Sequence, residues 1–194
     1  MSDIAGKIDE VIKLGLADLL KGQGFKKSGR TWHKPDGDNW LIVNVQASSG
    51  NFGGAGKFTI NLGVYFAAVE ALAGGIPLAG KPKEYQATIS ERVGVLAYGR
   101  DDWWAIDTSS NLGEIAADVV EKMQSLGLPW LEAHREISHL SAALNGRPAL
   151  SSVCAAWLAG DKDEAINRLK ATISSRPAVT AKFSAWAARH GVAL

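Results

Sequence analysis

Two stretches of the sequence alternate in a way that gathers hydrogen-bonding side chains onto one surface. Successive side chains of an extended strand point to opposite sides. Over 40–48 this puts Leu41, Val43, Val45 and Ala47 on one face and Trp40, Ile42, Asn44, Gln46 and Ser48 on the other. Over 57–66 it sets Phe58, Ile60, Leu62, Val64 and Phe66 against Lys57, Thr59, Asn61, Gly63 and Tyr65. One face is an ordinary apolar core. The other carries amides, which strands tend to avoid, with a hydroxyl, a glycine and aromatic rings. Amides bring donors and acceptors together, and indole and phenol rings offer stacking surfaces, so the chemistry such a face supports is recognition. Arg92 and the pair Trp103 and Trp104 can join it, one indole pointing each way, and Arg30 and Trp32 would extend it if they lie on the same side. The expected ligand-binding set is Asn44, Gln46, Asn61, Tyr65, Arg92, Trp103 and Trp104, with Gly63 leaving room for a close approach. The plain alternative is the solvated or helix-covered face of an antiparallel sheet.

Catalytic, metal and phosphate chemistry each lack a residue they require. The stretch SSGNFGGAGKFT ends in Gly-Lys, but five residues rather than the required four separate Gly50 from Gly56, Phe58 stands at the hydroxyl position, and a strand pattern follows where a helix must begin. No G-x-S-x-G elbow supports a nucleophilic serine. His134 and His139 are five apart, about 140° around a helix axis, too far to share one metal. Glu136-x-x-His139 is half of a di-iron carboxylate pattern without its second half, so His139 reads as a solvated partner of Glu136. Cys154, on an apolar helical face, reads as a small buried hydrophobe. No catalytic residue, metal or cofactor is expected.

The elements that must position the amide face follow from periodicity. Ile4, Ile8, Val11, Ile12 and Leu19 mark an amphipathic first helix over 3–21, closed by Gly22. Turn residues 35–39 separate two hairpin strands, a glycine-bearing loop of predicted mobility follows, and a third strand covers 57–66. Residues 67–87 read as a short helix and a loop over the sheet, and 88–96 with 102–107 as two short strands. After Ser110 the pattern is helical. Asn111 with Glu114 starts one helix that Gly127 and Pro129 end, and Pro129 opens the next. Others follow around Leu150–Leu158, from Asp161 with buried Ile166, Leu169 and Ile173, and after Pro177. The segment 155–177 has the look of one tetratricopeptide-like hairpin, without the further copies an array needs. The fold class is α+β: an N-terminal helix, an antiparallel sheet of about 4–5 strands and a C-terminal segment of about five helices. An α+β domain over 1–147, with an appended helical hairpin and terminal helix over 148–194 packed on it, is the expected organisation.

Charge excludes whole classes of partner. The chain has 21 basic and 20 acidic side chains, split 12 and 12 over 1–110 and 9 and 8 over 111–194, so neither part forms the basic domain that nucleic-acid binding uses. The local run Lys21, Lys26, Lys27, Arg30, His33 and Lys34 reads as a solvated hairpin whose lysines discourage edge pairing. No stretch approaches the roughly 20 apolar residues of a membrane span, the start MSDIAGKIDEVIK lacks a signal peptide's apolar run, and one thiol cannot form an internal disulfide. A cytoplasmic protein without nucleic-acid or membrane partners is expected.

The segments GFKKSGRTWHK (24–34), VNVQASS (43–49), FTINLGVYF (58–66) and ERVGVLAYGRDDWWAI (91–106) resemble, in order and approximate spacing, a bacterial domain-of-unknown-function family numbered 4304. The resemblance covers roughly residues 5 to 140. It implies a small cytosolic α+β protein and brings no catalytic residues; the 49–56 loop and the 67–87 insertion depart from it.

The expected function is a non-enzymatic protein-binding or regulatory module, of an immunity-like kind by analogy. The alternative is a small-molecule-binding or hydrolytic enzyme whose pocket forms from Arg92, Tyr65 and the Trp pair under the glycine loop. A structural or oligomerising module is separated from both by a mass measurement in solution.

Overall fold

A computed structural model of the chain describes residues 3–76, 78 and 80–193. Residues 3–22 make one helical run in three parts: α1 (Asp3–Val11), a π-helical turn (Ile12–Leu16) and α2 (Ala17–Gly22). Ile4, Ile8, Val11, Ile12, Leu16 and Leu20 are buried along it. A π turn contains one residue more than an α turn, so it delays the apolar stripe by one position and buries Leu20 where Leu19 was expected. The local reason is Gly15, where a Cβ would stand 2.6 Å from Val120 Cγ2 of the helix at Leu112–Lys122. The run widens where that helix crosses it.

Strands β1 (Lys26–Ser28), β2 (Thr31–Asp36), β3 (Asn39–Ala47) and β4 (Ala55–Tyr65) follow. With β5 (Ile89–Arg92) and β6 (Trp104–Asp107) they form one six-stranded antiparallel sheet, ordered β1-β2-β3-β4-β5, with β6 pairing the start of β4. The register sets Thr31 opposite Asn44, Asn44 opposite Asn61, and Asn61 opposite Arg92. The helix-facing side buries Trp32, Val43, Val45, Phe58, Ile60, Leu62 and Val64. Helix α3 (Ala67–Leu72) comes after β4.

The expected strand over 88–96 is half helix. It stops at Arg92, and α4 (Val93–Tyr98) takes over, ending on Gly99 at φ +67°. Gly94 makes this turn possible, because a side chain there would overlap the backbone of Asp102. Helix α5 (Leu112–Lys122) is capped as expected: Asn111 Oδ1 accepts from the backbone N–H of Gly113 and Glu114, a cap that stabilises by about 1 kcal/mol. Gly127 and Pro129 do not end the helix. A second π turn (Met123–Gly127) carries the chain into α6 (Leu128–Ala133), the N–H of Leu128 reaching back to Met123 O. The widened turn gives the Pro129 ring the space a regular turn denies it.

Helices α7 (Ile137–Ala143), α8 (Leu150–Leu158), α9 (Lys162–Ser175) and α10 (Thr180–Arg189) complete the chain, a 3-10 turn at Pro177–Val179 preceding the last. With the 112–133 run these make the expected helical segment, and the fold class is α+β. By contacts the chain divides into two compact units, Met1–Tyr65 with Gly80–Glu132, and Phe66–Ala79 with Ala133–Leu194. The second has its own core of Leu140, Val153, Cys154, Leu169, Phe183 and Trp186. In it Trp186 Nε1 donates to Leu72 O at 3.0 Å, and Trp157 meets the Trp186 ring edge-on at 5.5 Å. Burial pushes the Cys154 thiol up to about 12, the behaviour of an inert, buried group. His139 does not pair with Glu136; its Nδ1 lies 3.0 Å from Ala133 O.

Candidate functional site

The amide face is one continuous hydrogen-bonded network whose polarity Arg92 sets. A guanidinium only donates. Arg92 Nε donates to Asn61 Oδ1 at 3.1 Å, which turns the Asn61 amide nitrogen toward β3. That nitrogen donates to Asn44 Oδ1 at 3.2 Å and to Gln46 Oε1 at 2.9 Å. Asn44 Nδ2 in turn donates to Thr31 Oγ1 at 2.8 Å. Every amide orientation in the row therefore follows from one cation. Arg92 is itself held by Asp101, whose Oδ2 accepts from Nη1 at 2.5 Å, and by the Trp103 ring, 5.2 Å from its guanidinium carbon. Trp103 Nε1 donates to the other oxygen of Asp101 at 3.1 Å, and Lys57 Nζ lies 5.3 Å from the same ring.

The end of this row formed by Gln46, Asn61 and Arg92 lines an open cleft of about 550 Å³, walled also by Glu84, Tyr85, Ser90, Glu91, Val95 and Asp101. The volume lies in the range of small-ligand and peptide pockets, roughly 300–1,000 Å³. The hydrogen bond from Arg92 holds the Asp101 carboxyl below the usual carboxylate range, with the Trp103 indole adding to it. Asp101 is thus an ion at neutral pH and has no proton to give as a general acid. The cleft residues include Ser90 but no His or Cys to pair with it as base or nucleophile. Two donors on residues that line the cleft, Gln46 Nε2 and Arg92 Nη2, have no hydrogen-bond partner among the described residues.

The structure brings together five of the seven expected residues, Asn44, Gln46, Asn61, Arg92 and Trp103. Trp104 sits on the helix-facing side, stacked 5.4 Å from Phe58 and donating through Nε1 to Asp118 Oδ2 at 2.7 Å. Burial opposes the ionisation of Asp118, but hydrogen bonds from Lys122 and Trp104 outweigh it and keep the carboxyl low. Tyr65 shares the strand face of Asn61 but lies four residues along β4, about 13 Å away, and is buried at 5% exposure. Arg30 and Trp32 turn to the helix side, Arg30 bonding Asp9 Oδ1 at 2.7 Å and Ala5 O at 2.8 Å. Thr31 takes their place on the amide face. Alternation about Trp32 as the core residue would have found Thr31, and an acid two residues before Trp103 in a turn was the signal for Asp101.

The glycine loop is a structural hairpin. Asn51 Oδ1 accepts from Lys57 N at 2.8 Å and its Nδ2 donates to Lys57 O at 3.1 Å, and Gly56 is required because a Cβ would lie 2.7 Å from both Asn51 and Ile4. The basic hairpin is equally occupied: Lys27 lies over Trp32 and Lys34 over Phe25. Among the described residues no group of three or more His, Cys, Asp or Glu can hold a metal ion, and no helix is long and apolar enough to cross a membrane.

An α+β protein with an antiparallel sheet and a polar cleft on its outer face is the class these features define. Residues 16–133, more than half of the chain, match the family described as Domain of unknown function (DUF4304), and the chain belongs to that family. Neither the curated proteins nor the solved structures yield a match.

Proposed function

We propose that the chain is a non-catalytic binding module, and that its sheet cleft receives an extended segment of a partner protein. The carrying observation is the polarised amide row. It ends in unused donors on Gln46 and Arg92 beside the acceptors Glu84, Glu91 and Asp101, and a peptide backbone offers one acceptor and one donor per residue to match. Tyr85, 78% exposed at the rim, adds an amphipathic ring of the kind interfaces favour. A regulatory or immunity-type partner in a bacterial cytoplasm is the class this reading favours, and the single buried thiol suits a reducing compartment. Residues 148–194 are read as an appended helical element.

The test is enrichment from native lysate by the wild-type chain in parallel with Asn61→Leu and Gln46→Leu. A protein retained by the wild type and lost from both variants supports the reading; identical retention by all three would sink it. The cleft volume favours a second reading, a small-molecule binder. Native mass spectrometry of the purified chain distinguishes it, since a co-purifying mass lost from Arg92→Ala would transfer the assignment from a protein partner to a small molecule.

A further inference from the structure

Independent of the sheet cleft, the helical unit holds a second concave site, a groove of about 370 Å³ between residues 145–148 and one face of α9. At its base lies Arg168, whose side chain is 10% exposed. One side of its guanidinium is fully committed. Nε donates to Glu164 Oε1 at 2.7 Å, and Nη1 reaches Ser141 O at 2.9 Å and Ser152 O at 3.1 Å, with both serine hydroxyls at 3.3 Å. Three helices therefore fix the plane of the fork. Its other end, Nη2, has no hydrogen-bond partner among the described residues and, unlike His33 Nδ1 and Thr59 Oγ1, is not sealed off from solvent, so it remains available to a ligand.

The surroundings carry the same signature. The amides of Asn145 and Asn167 and the guanidinium of Arg147 line the groove and have no side-chain partner among the described residues. Arg176 stands at the rim, with Nη1 donating to Pro148 O at 2.9 Å. Among these groups Arg147, Arg168 and Arg176 contribute three positive charges against the one negative charge of Glu164, and Glu164 is already paired with Arg168. A rigid, buried guanidinium with a free end, flanked by amide donors and an excess of positive charge, is the arrangement that recognises planar or tetrahedral oxyanions.

We infer that this groove binds a small polyvalent oxyanion, a di- or tricarboxylate or a phosphate ester, held by Arg168 Nη2, Arg147 and the two amides. Phosphate esters and carboxylates share the chemistry the donors read, and the probes separate them. Calorimetric titration of the full chain with citrate and with inorganic phosphate is expected to show saturable binding of at least one, weakened by added salt. Arg147→Ala and Asn167→Ala, both exposed positions whose loss leaves the helical core intact, should each weaken binding about tenfold, the scale of one charge-assisted hydrogen bond, with unchanged circular dichroism. Arg168→Lys keeps the charge and loses the fork, so it should bind more weakly than either if it folds. Lys13→Ala, which removes an exposed cation that lines neither concave site, should bind like the wild type. Absence of saturable binding by both anions, or binding that survives Arg147→Ala and Asn167→Ala unchanged, overturns the inference.

Discussion

One face of the sheet is divided into two halves that share strands and alternation and differ in what lies above them. Toward the Tyr65 end of β4, His33, Ile42 and Gly63 lie beneath the segment at 82–87: His33 Nε2 is 2.9 Å from Pro82 O, and Gly63 faces the Ala87 methyl. Toward the other end, Thr31, Asn44, Gln46 and Asn61 form the hydrogen-bonded row, and Gln46 and Asn61 line an open cleft. The covered half has almost no hydrogen bonding to offer and hides what it has, leaving His33 Nδ1 buried without a partner among the described residues. The open half answers each amide with another, and its Thr59 hydroxyl, opposite Gln46, is also buried without a partner among the described residues. The chain thus uses one β-surface for packing and for display, and the residue that marks the border is Gly63, the one position on that face of β4 with no side chain.

The sharpest way to break the division is Gly63→Val. A Cβ at 63 would lie 2.9 Å from Ala87 Cβ, so the covering turn must lift; we expect a loss of about 3 kcal/mol by denaturant titration, the upper range for overpacking. Asn61→Leu attacks the open half. It removes the acceptor of Arg92 Nε and both donors to β3, and should cost about 2 kcal/mol while leaving the covered half folded. Hydrogen exchange localised to β3 and β4 near residue 44 and not near residue 63 would confirm the separation.

The third test uses pH. Burial depresses the His33 pKa below 6.5, against the hydrogen bond to Pro82 and with help from Lys81 and Lys83. A depressed pKa means the unfolded chain binds the proton first, so stability is full above about pH 6.5 and declines as pH falls toward the folded value. Thermal melts at pH 7.5 and 5.5 should show this decline in the wild type and a smaller one in His33→Gln. Equal slopes in the two proteins would mean the covering segment does not bury His33. The smallest effect belongs to Gln46→Ala, at the solvent edge of the row: about 0.5 kcal/mol or less in stability, with its consequence confined to ligand retention.

Much of this arrangement was legible in the sequence because period-2 alternation survives folding. Asn44, Gln46 and Asn61 could be placed on one face from residue type alone, and the registers of β3 and β4 then had to make them neighbours. Trp104 and Tyr65 show where the pattern stops. Alternation says that adjacent indoles diverge but not which one faces the helices; that is fixed by pairing of Trp104 with Phe58, a contact 46 positions distant in the chain. The later part of the strand expected over 88–96 is helical because Gly94, having no Cβ, lets α4 approach the Asp102 backbone. Arg168 escaped notice for a rotational reason. Ile166, Leu169 and Ile173 suggested the buried stripe of α9, whereas Ala165, Leu169 and Thr172 are buried and carry Arg168 inward with them. Ala and Thr are smaller than Ile and let helices approach more closely, whereas hydropathy alone ranks them below it.

The π turn at Ile12–Leu16 makes the first helical run sensitive to length more than to composition. Removing one residue from it would let the segment wind as a regular helix, and because the π turn holds one residue more than an α turn, the residues before and after the deletion would keep their faces. Adding one residue has the opposite result: the parts before and after it turn by about 100° relative to each other, and Ile4 and Ile8 leave the core together. Deletion of Lys13 or Leu14, both exposed, should therefore be tolerated far better than insertion of one residue at the same place, so this helix accepts the loss of a residue there and not the gain of one.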